Sequence, residues 1–241
     1  MTPYVSQQTI QLDSADLLSP LNPHQADLRK QLVRFGRWVH RLGYTPGTAG
    51  NLSVRLNADL ILATPTGCSK GMLRPSDMVI VDNAGRKVSG SRNVTSEIAM
   101  HVAVYRIRPD VEAIVHTHAP IATAFAACGT PLDQPICSEI IMTTGLVPLA
   151  PYATTGTIEV GLSLEPFILD RDAVLLANHG LLTCGISLSD AVMKTETVEH
   201  FAQVCLAAQQ MGGATPLPPA EIEKLHQARA RYRRNAGPPC S

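Results

Sequence analysis

The sequence predicts a single-domain α/β sandwich, a sheet flanked by helices. Three observations lead there. The 241 residues are enough to bury one sizeable core. Short apolar runs bounded by Pro and Gly read as strands, and longer stretches with helical periodicity outnumber them. No internal repeat or low-complexity tract interrupts that order. The pairing order of the strands cannot be read at this level.

In chain order, residues 1–22 are polar and without a clear period, and they read as an N-terminal arm ahead of a domain spanning 23–241. From Pro23, the spacing of Leu28, Leu32, Phe35, Val39 and Leu42 predicts an amphipathic helix stopped near Gly43. A Gly-rich loop follows, then strands at Leu60–Ala63 and Met78–Val81. Thr95 or Ser96 can cap a helix carrying Ile98, Val102 and Tyr105 on one face, with Pro109 beyond its end. Further strands are expected at Val111–Val115 and Ala173–Ala177. Ser189 can cap a long helix through Val192, Phe201 and Cys205, which Gly212 and Gly213 end. A Pro-rich linker at Pro216–Pro219 leads into a last, basic helix.

The bulk composition removes several classes of function. Lys+Arg and Asp+Glu balance at 20 each, so no basic surface points to nucleic acid. No apolar run approaches the about 20 residues of a membrane span, and the first residues lack a basic start followed by an apolar core. The six cysteines have neither C-x-x-C spacing nor the density of a disulfide scaffold, and they read as reduced thiols. A cytoplasmic protein is expected.

The chemistry concentrates in histidines. In the run Val111 to His118, strand alternation sets Glu112, Ile114, His116 and His118 on one face. Two imidazoles side by side can share a tetrahedral metal, or they can be a hydrogen-bonded pair at a strand end. His179 ends a second apolar run before Gly180, where a third ligand can arrive. Glu97, in the first turn of the helix ahead of the pair, offers a carboxylate that could ligate metal or move protons. Three histidines and a carboxylate with room for substrate fit a catalytic site. His24, His40, His101, His200 and His226 lack a matching partner motif and read as surface or packing residues.

Two loops can bind an anion. Gly47 to Ser53 and Thr64 to Gly67 expose backbone N–H groups beside small donors, and Thr95 and Ser96 would add hydroxyls at a helix start. Each of these, taken alone, also reads as an ordinary turn or cap.

Taken together, GTAGNLS (47–53), TPTG (64–67), TSE (95–97), HTH (116–118) and NHG (178–180) resemble the class II aldolase/adducin family in order and spacing, over about Pro23 to Tyr232. The resemblance implies an α/β sandwich with a mainly antiparallel sheet, assembled as a homotetramer with active sites at subunit interfaces. It implies zinc held by His116, His118 and His179. Glu97 would be the acid/base, holding the metal position that substrate later takes. Asn51, Thr66, Gly67, Thr95 and Ser96 would bind phosphate, and Tyr232 would help close the site. Glutamate at position 97 resembles the L-fuculose-phosphate aldolase branch, where related epimerases have aspartate.

The implied function is aldol cleavage of a small phosphorylated sugar, with zinc in the part a Schiff-base lysine plays elsewhere. Lys70, Lys87 and Lys194 fall outside the core of the motifs, although Lys70, close to TPTG, could meet phosphate. The chain departs from the branch at Gln134 to Glu139, which lacks the tyrosine that donates a proton there. Epimerisation, dehydration or decarboxylation of a related sugar or sugar-acid phosphate therefore stay open. A non-enzymatic adducin-type module on the same fold would lack the zinc ligands, which this sequence has.

Overall fold

The amphipathic stretch at the start of the expected domain forms α1 (Pro23–Arg41), which buries Leu32, Val33, Phe35 and Val39 on one side. Each fully buried leucine of this kind contributes about 1.5–3 kcal/mol. In the computed structural model, the described residues are 23–235, and the side chains of 232–235 are not among them. The expected arm, residues 1–22, and the Tyr232 side chain lie outside the described residues, as does Cys240.

After α1 come β1 (Asn51–Arg55), β2 (Leu60–Ala63), two 3-10 turns, β3 (Val79–Asp82), β4 (Lys87–Ser89) and α2 (Ile98–Ile107). Then follow β5 (Ala113–Thr117), α3 (Pro120–Ala127), α4 (Ser138–Met142), β6 (Leu149–Ala150) and α5 (Ile158–Ile168). The chain continues with β7 (Ala173–Leu176), β8 (Gly180–Gly185), α6 (Leu188–Gln210) and α7 (Pro219–Asn235). The eight strands form one sheet in the order β4-β3-β2-β1-β5-β8-β7-β6. Every pairing is antiparallel except the parallel edge pair β6–β7. The expected mixed sandwich is the observed fold.

Strand alternation divides the core between the two faces of the sheet. On one face Ile61, Val79, Val81, Ile114, Val174, Leu176 and Leu182 pack against α2 and α5 through Met100, Val104, Val160, Leu164 and Ile168. On the other, Leu52, Val54, Leu62, Ile80, Ala113 and Val115 meet α1 and the start of α6. Leu175 and Leu181 continue that second face under α3 and the middle of α6.

Several elements differ from the sequence reading. Asn51–Arg55 is a central strand where a loop was expected: Leu52 and Val54 point into one core while Asn51 and Ser53 point to the other face, which is a strand's alternation. The expected Val111–Val115 strand runs Ala113–Thr117, and Val111 lies before it. Ser187, and not Ser189, caps α6 by accepting from Asp190 N. The unforeseen α5 carries Pro166 inside it, which reads as a helix breaker in sequence. The five described cysteines are all unpaired, as expected. Among the described residues no helix is long and apolar enough to cross a membrane.

Gly180 opens β8 at the closest approach of two central strands. A Cβ there would stand 2.5 Å from Thr117 O and 3.0 Å from His118 Cδ2. Gly180→Ala should therefore force β5 and β8 apart and lower stability by about 1–3 kcal/mol, as overpacking does. A urea midpoint equal to that of the native chain would contradict this.

Candidate metal centre and catalytic site

Three elements deliver the histidines to one point. His116 is the fourth residue of β5, opposite Asn51 of β1 and Leu182 of β8. His118 follows the strand end, and its backbone N–H donates to Tyr44 O at 2.8 Å. His179 lies in the three-residue turn between β7 and β8. That turn is made by Asn178, the only non-glycine with positive φ (55°) among the described residues, a conformation asparagine tolerates better than most. The three imidazoles converge, each offering a nitrogen, with these atoms all within 4.8 Å of one another.

Their protonation suits a ligand set. His116 is fully buried, and its Nδ1–H donates to Leu181 O at 3.0 Å, which leaves a lone pair on Nε2. Burial pushes its pKa down to about 3 and also lowers that of His118, so both imidazoles are neutral. The Nε2 atoms of His116 and His118 face each other at 3.1 Å.

Glu97 occupies the N-cap position of α2, and its carboxylate reaches the same point. Oε1 is 3.1 Å from His179 Nε2, and Oε2 is 3.4 Å from His116 Nε2. Oε2 accepts from Asn51 Nδ2 at 2.7 Å. Oε1 is buried without a well-aligned donor. Burial pushes the carboxyl up, but His179, His116 and Asn51 outweigh it and hold the group well below the usual carboxylate range. Two neutral imidazoles, a third beside them and an ionised oxygen with no aligned donor, all facing one point, fit a divalent cation.

Beside this centre, the candidate anion loops are stitched to one another. Thr66 N donates to Asn93 O, Thr95 N to Thr64 O, and Thr64 N to Leu52 O. Thr66, Gly67 and Ser96 remain exposed at the rim, while Thr95 is buried and its Oγ1 accepts from Glu97 N. Gly67 has φ +67° with open space where a side chain would be. Of the five residues expected to hold phosphate, Asn51 pairs with His116 across the sheet, and Thr95 and Ser96 immediately precede Glu97. Asn51 is the exception in orientation: its amide is directed at Glu97 and His101.

Residues 30–206 match the family description "Class II Aldolase and Adducin N-terminal domain". The chain belongs to the class II aldolase and adducin family. Relatives within it carry different reactions. A 5-deoxy-D-ribulose 1-phosphate aldolase of Bacillus thuringiensis is 36% identical over 199 residues, covering 82% of this chain and 92% of that one. A 3-oxo-tetronate 4-phosphate decarboxylase of Escherichia coli is also 36% identical, over 185 residues, covering 75% and 86%. The solved structure of an L-fuculose 1-phosphate aldolase superposes with a TM-score of 0.80 at 34% identity, covering 86% of this chain and 99% of that one. This class II aldolase family member is similar in sequence to aldolases and to a decarboxylase alike, and it shares its fold with an L-fuculose 1-phosphate aldolase.

Two residues carry more than the sequence reading gives them. His101, expected to be a surface or packing residue, is fully buried and is also bonded to Asn51 and Ser53. Its position four residues after Glu97 on a helix is the signal for that. Lys70, which follows TPTG by only three residues, is 1% exposed and donates to Thr48 O at 2.9 Å and Cys68 O at 2.7 Å, joining the two anion loops.

Replacing His116, His118 or His179 with alanine should lower bound metal and turnover together, because a three-ligand site tolerates little loss. Metal analysis finding full occupancy in one variant would remove that residue from the set. Lys70 sets a second expectation. Burial lowers its pKa from 10.5 to about 8, so the folded state holds the charged amine less tightly than the unfolded chain does. Unfolded chains therefore bind the extra proton between these values, and stability rises with pH across that window. The unfolding free energy of the native chain minus that of Lys70→Met should increase by about 3 kcal/mol from pH 7.5 to 10.5. A pH-independent difference would refute the shift.

Proposed function

We propose that this chain is a zinc-dependent aldolase that cleaves a small ketose phosphate, of the L-fuculose-1-phosphate kind, into dihydroxyacetone phosphate and an aldehyde. The observation that carries the reading is the convergence of three imidazoles on Glu97, which Thr95 and Ser96 immediately precede. In this reading His116, His118 and His179 hold the ion, and Glu97 occupies the remaining position until substrate arrives. A divalent zinc bound there supplies electrophilic stabilisation for the enediolate charge that C–C cleavage creates.

The chain's own groups do the rest. Thr66, Gly67, Thr95 and Ser96 bind the phosphate through hydroxyls and main-chain N–H groups, and Asn51 adds its second amide hydrogen, since one already serves Glu97. The Glu97 carboxylate would remove the carbon-bound proton in condensation and return it in cleavage. In cleavage the hydroxyl on the aldehyde-forming carbon gives its proton to water as the C–C bond breaks, the electron pair of that bond stays on the enediolate carbon, and that carbon takes the proton from Glu97. Tyr232 of α7 closes the site over the aldehyde.

The reading includes assembly as a homotetramer with the site completed at an interface. Apolar side chains left exposed at Tyr152, Ile158, Leu162 and Leu169, along and just before α5, support it, and light scattering tests it. A decarboxylase reading is favoured by the 36% identity to such an enzyme. Loss of carbon dioxide from a 3-oxo acid leaves the same kind of enediolate, so the same residues serve both reactions.

The deciding experiment incubates the purified zinc-loaded chain with a panel of ketose 1-phosphates and 3-oxo acid phosphates. Dihydroxyacetone phosphate with an aldehyde supports the aldolase, dihydroxyacetone phosphate with carbon dioxide the decarboxylase, and neither product from any member refutes both. On the best substrate, Glu97→Gln should keep its metal and KM while kcat falls by about 10²–10⁴. A metal-replete variant with near-normal kcat would remove the proton-transfer role.

A further inference from the structure

Behind Glu97 runs a line of buried polar groups, of which the proposed chemistry uses only Asn51. Asn51 Nδ2 donates to Glu97 Oε2 at 2.7 Å, and Asn51 Oδ1 meets His101 Nε2. His101 Nδ1 meets Ser53 Oγ at 2.7 Å, and Ser53 Oγ meets Tyr105 Oη at 2.9 Å. Asn51, Ser53, His101 and Tyr105 are each 5% exposed or less. No solvent reaches them to act as an interchangeable partner, so each donor needs its own acceptor.

The line follows from matching two periods. Glu97, His101 and Tyr105 stand four residues apart, at the N-cap of α2 and on one face of it. Asn51 and Ser53 stand two apart on one face of β1. Four helical residues rise about 6 Å and two strand residues about 6.7 Å, so the rungs of helix and strand interleave.

Hydrogen-bond accounting then leaves one arrangement. The ionised Glu97 is an acceptor only, so it must meet the NH2 end of Asn51. That turns Asn51 Oδ1, an acceptor, toward His101, whose Nε2 must carry the hydrogen. Burial pushes the His101 pKa down to about 4, so the ring is neutral and its Nδ1 must accept. Ser53 therefore donates to His101, and the Tyr105 hydroxyl donates to Ser53. Every donor points toward the carboxylate.

We propose that His101 is a positioning residue for proton transfer, whose Nε2–H tautomer locks the Asn51 amide so that Glu97 Oε2 is permanently an acceptor and Oε1 is the oxygen that carries the proton. This rests on the reading of Glu97 as the proton carrier. A proton on Oε2 would confront the Asn51 N–H with another donor, and relieving that clash needs an amide flip, a tautomer change and two hydroxyl rotations together. A proton on Oε1 needs none of these. Oε1 is also the oxygen beside His179 that lacks an aligned donor.

Nitrogen-15 spectroscopy of the imidazoles in the intact, zinc-loaded chain tests the lock without reference to activity. The expected state is a neutral His101 protonated at Nε2, and a ring protonated at Nδ1 overturns the proposal. Kinetics then test its consequence. His101→Leu, which cannot donate to Asn51, should lower kcat roughly 10–100-fold with bound zinc and KM within about twofold, as misplacement of a reacting group does. His101→Gln, which can still donate to Asn51 Oδ1, should recover much of the loss. In a Glu97→Gln background, His101→Leu should have no further effect on kcat. An undiminished kcat in His101→Leu, or an equal loss in the glutamine variant, overturns the proposal. If Glu97→Gln itself turns over normally, the proton-carrier reading fails instead, while the tautomer measurement still reports on the lock. If His101→Leu does not fold, the tautomer measured in the native chain and the glutamine variant decide.

Discussion

The register of three adjacent strands sets everything else in this site. Asn51 of β1, His116 of β5 and Leu182 of β8 lie side by side across the sheet. This puts Asn51 and His116 on the same face, under α2, and carries His179 to the same end through the β7–β8 turn. A slip of one residue in β5 would move His116 to the opposite face, under α1 and α6, and leave a valine where the imidazole stands. Such a slip would also expel Ile114 from one core and force Ala113 and Val115 out of the other. The packing of the sandwich and the assembly of the site are thus one constraint, and the apolar faces enforce the polar geometry.

Burying that many polar groups is unfavourable unless each is neutral or partnered. The chain uses both solutions. His101 and His116 are held neutral by burial, and each has its ring nitrogens directed by a hydrogen bond. Glu97 stays charged because Asn51 and the histidines surround it. Away from the site, Asp172 is 3% exposed and lies between Arg108 and Lys194, at 3.2 Å from each. Breaking one partner of such a group leaves a buried charge uncompensated, the most costly kind of single change.

The sequence made the histidines legible because a strand's two-residue period and a Gly-marked strand end are local signals. The fold class was legible for the same reason, from helices and strands with clean periods such as α1 and β2. Asn51–Arg55 was missed because its polar residues face a buried network and not solvent, so the alternation looked like a polar loop. The apolar β8 lacks any period, since both of its faces are covered. His101 and Lys70 are only faintly signalled. Each stands near a motif, four residues after Glu97 and three after TPTG, but the partners that fix their roles, Asn51 Oδ1 and Thr48 O, are 50 and 22 residues away.

The Lys70 ammonium has a consequence for how this scaffold can change. It grips Thr48 and Cys68 by their main-chain oxygens, and a carbonyl is the same whatever side chain stands beside it. The two loops can therefore exchange residues on their outer surfaces while the clasp keeps their spacing. Loop surface and loop spacing become separable properties, one written in side chains and the other in backbone. On the proposed reading of these loops as the phosphate site, substitutions on their outer surfaces can change what is bound there without loosening the clasp.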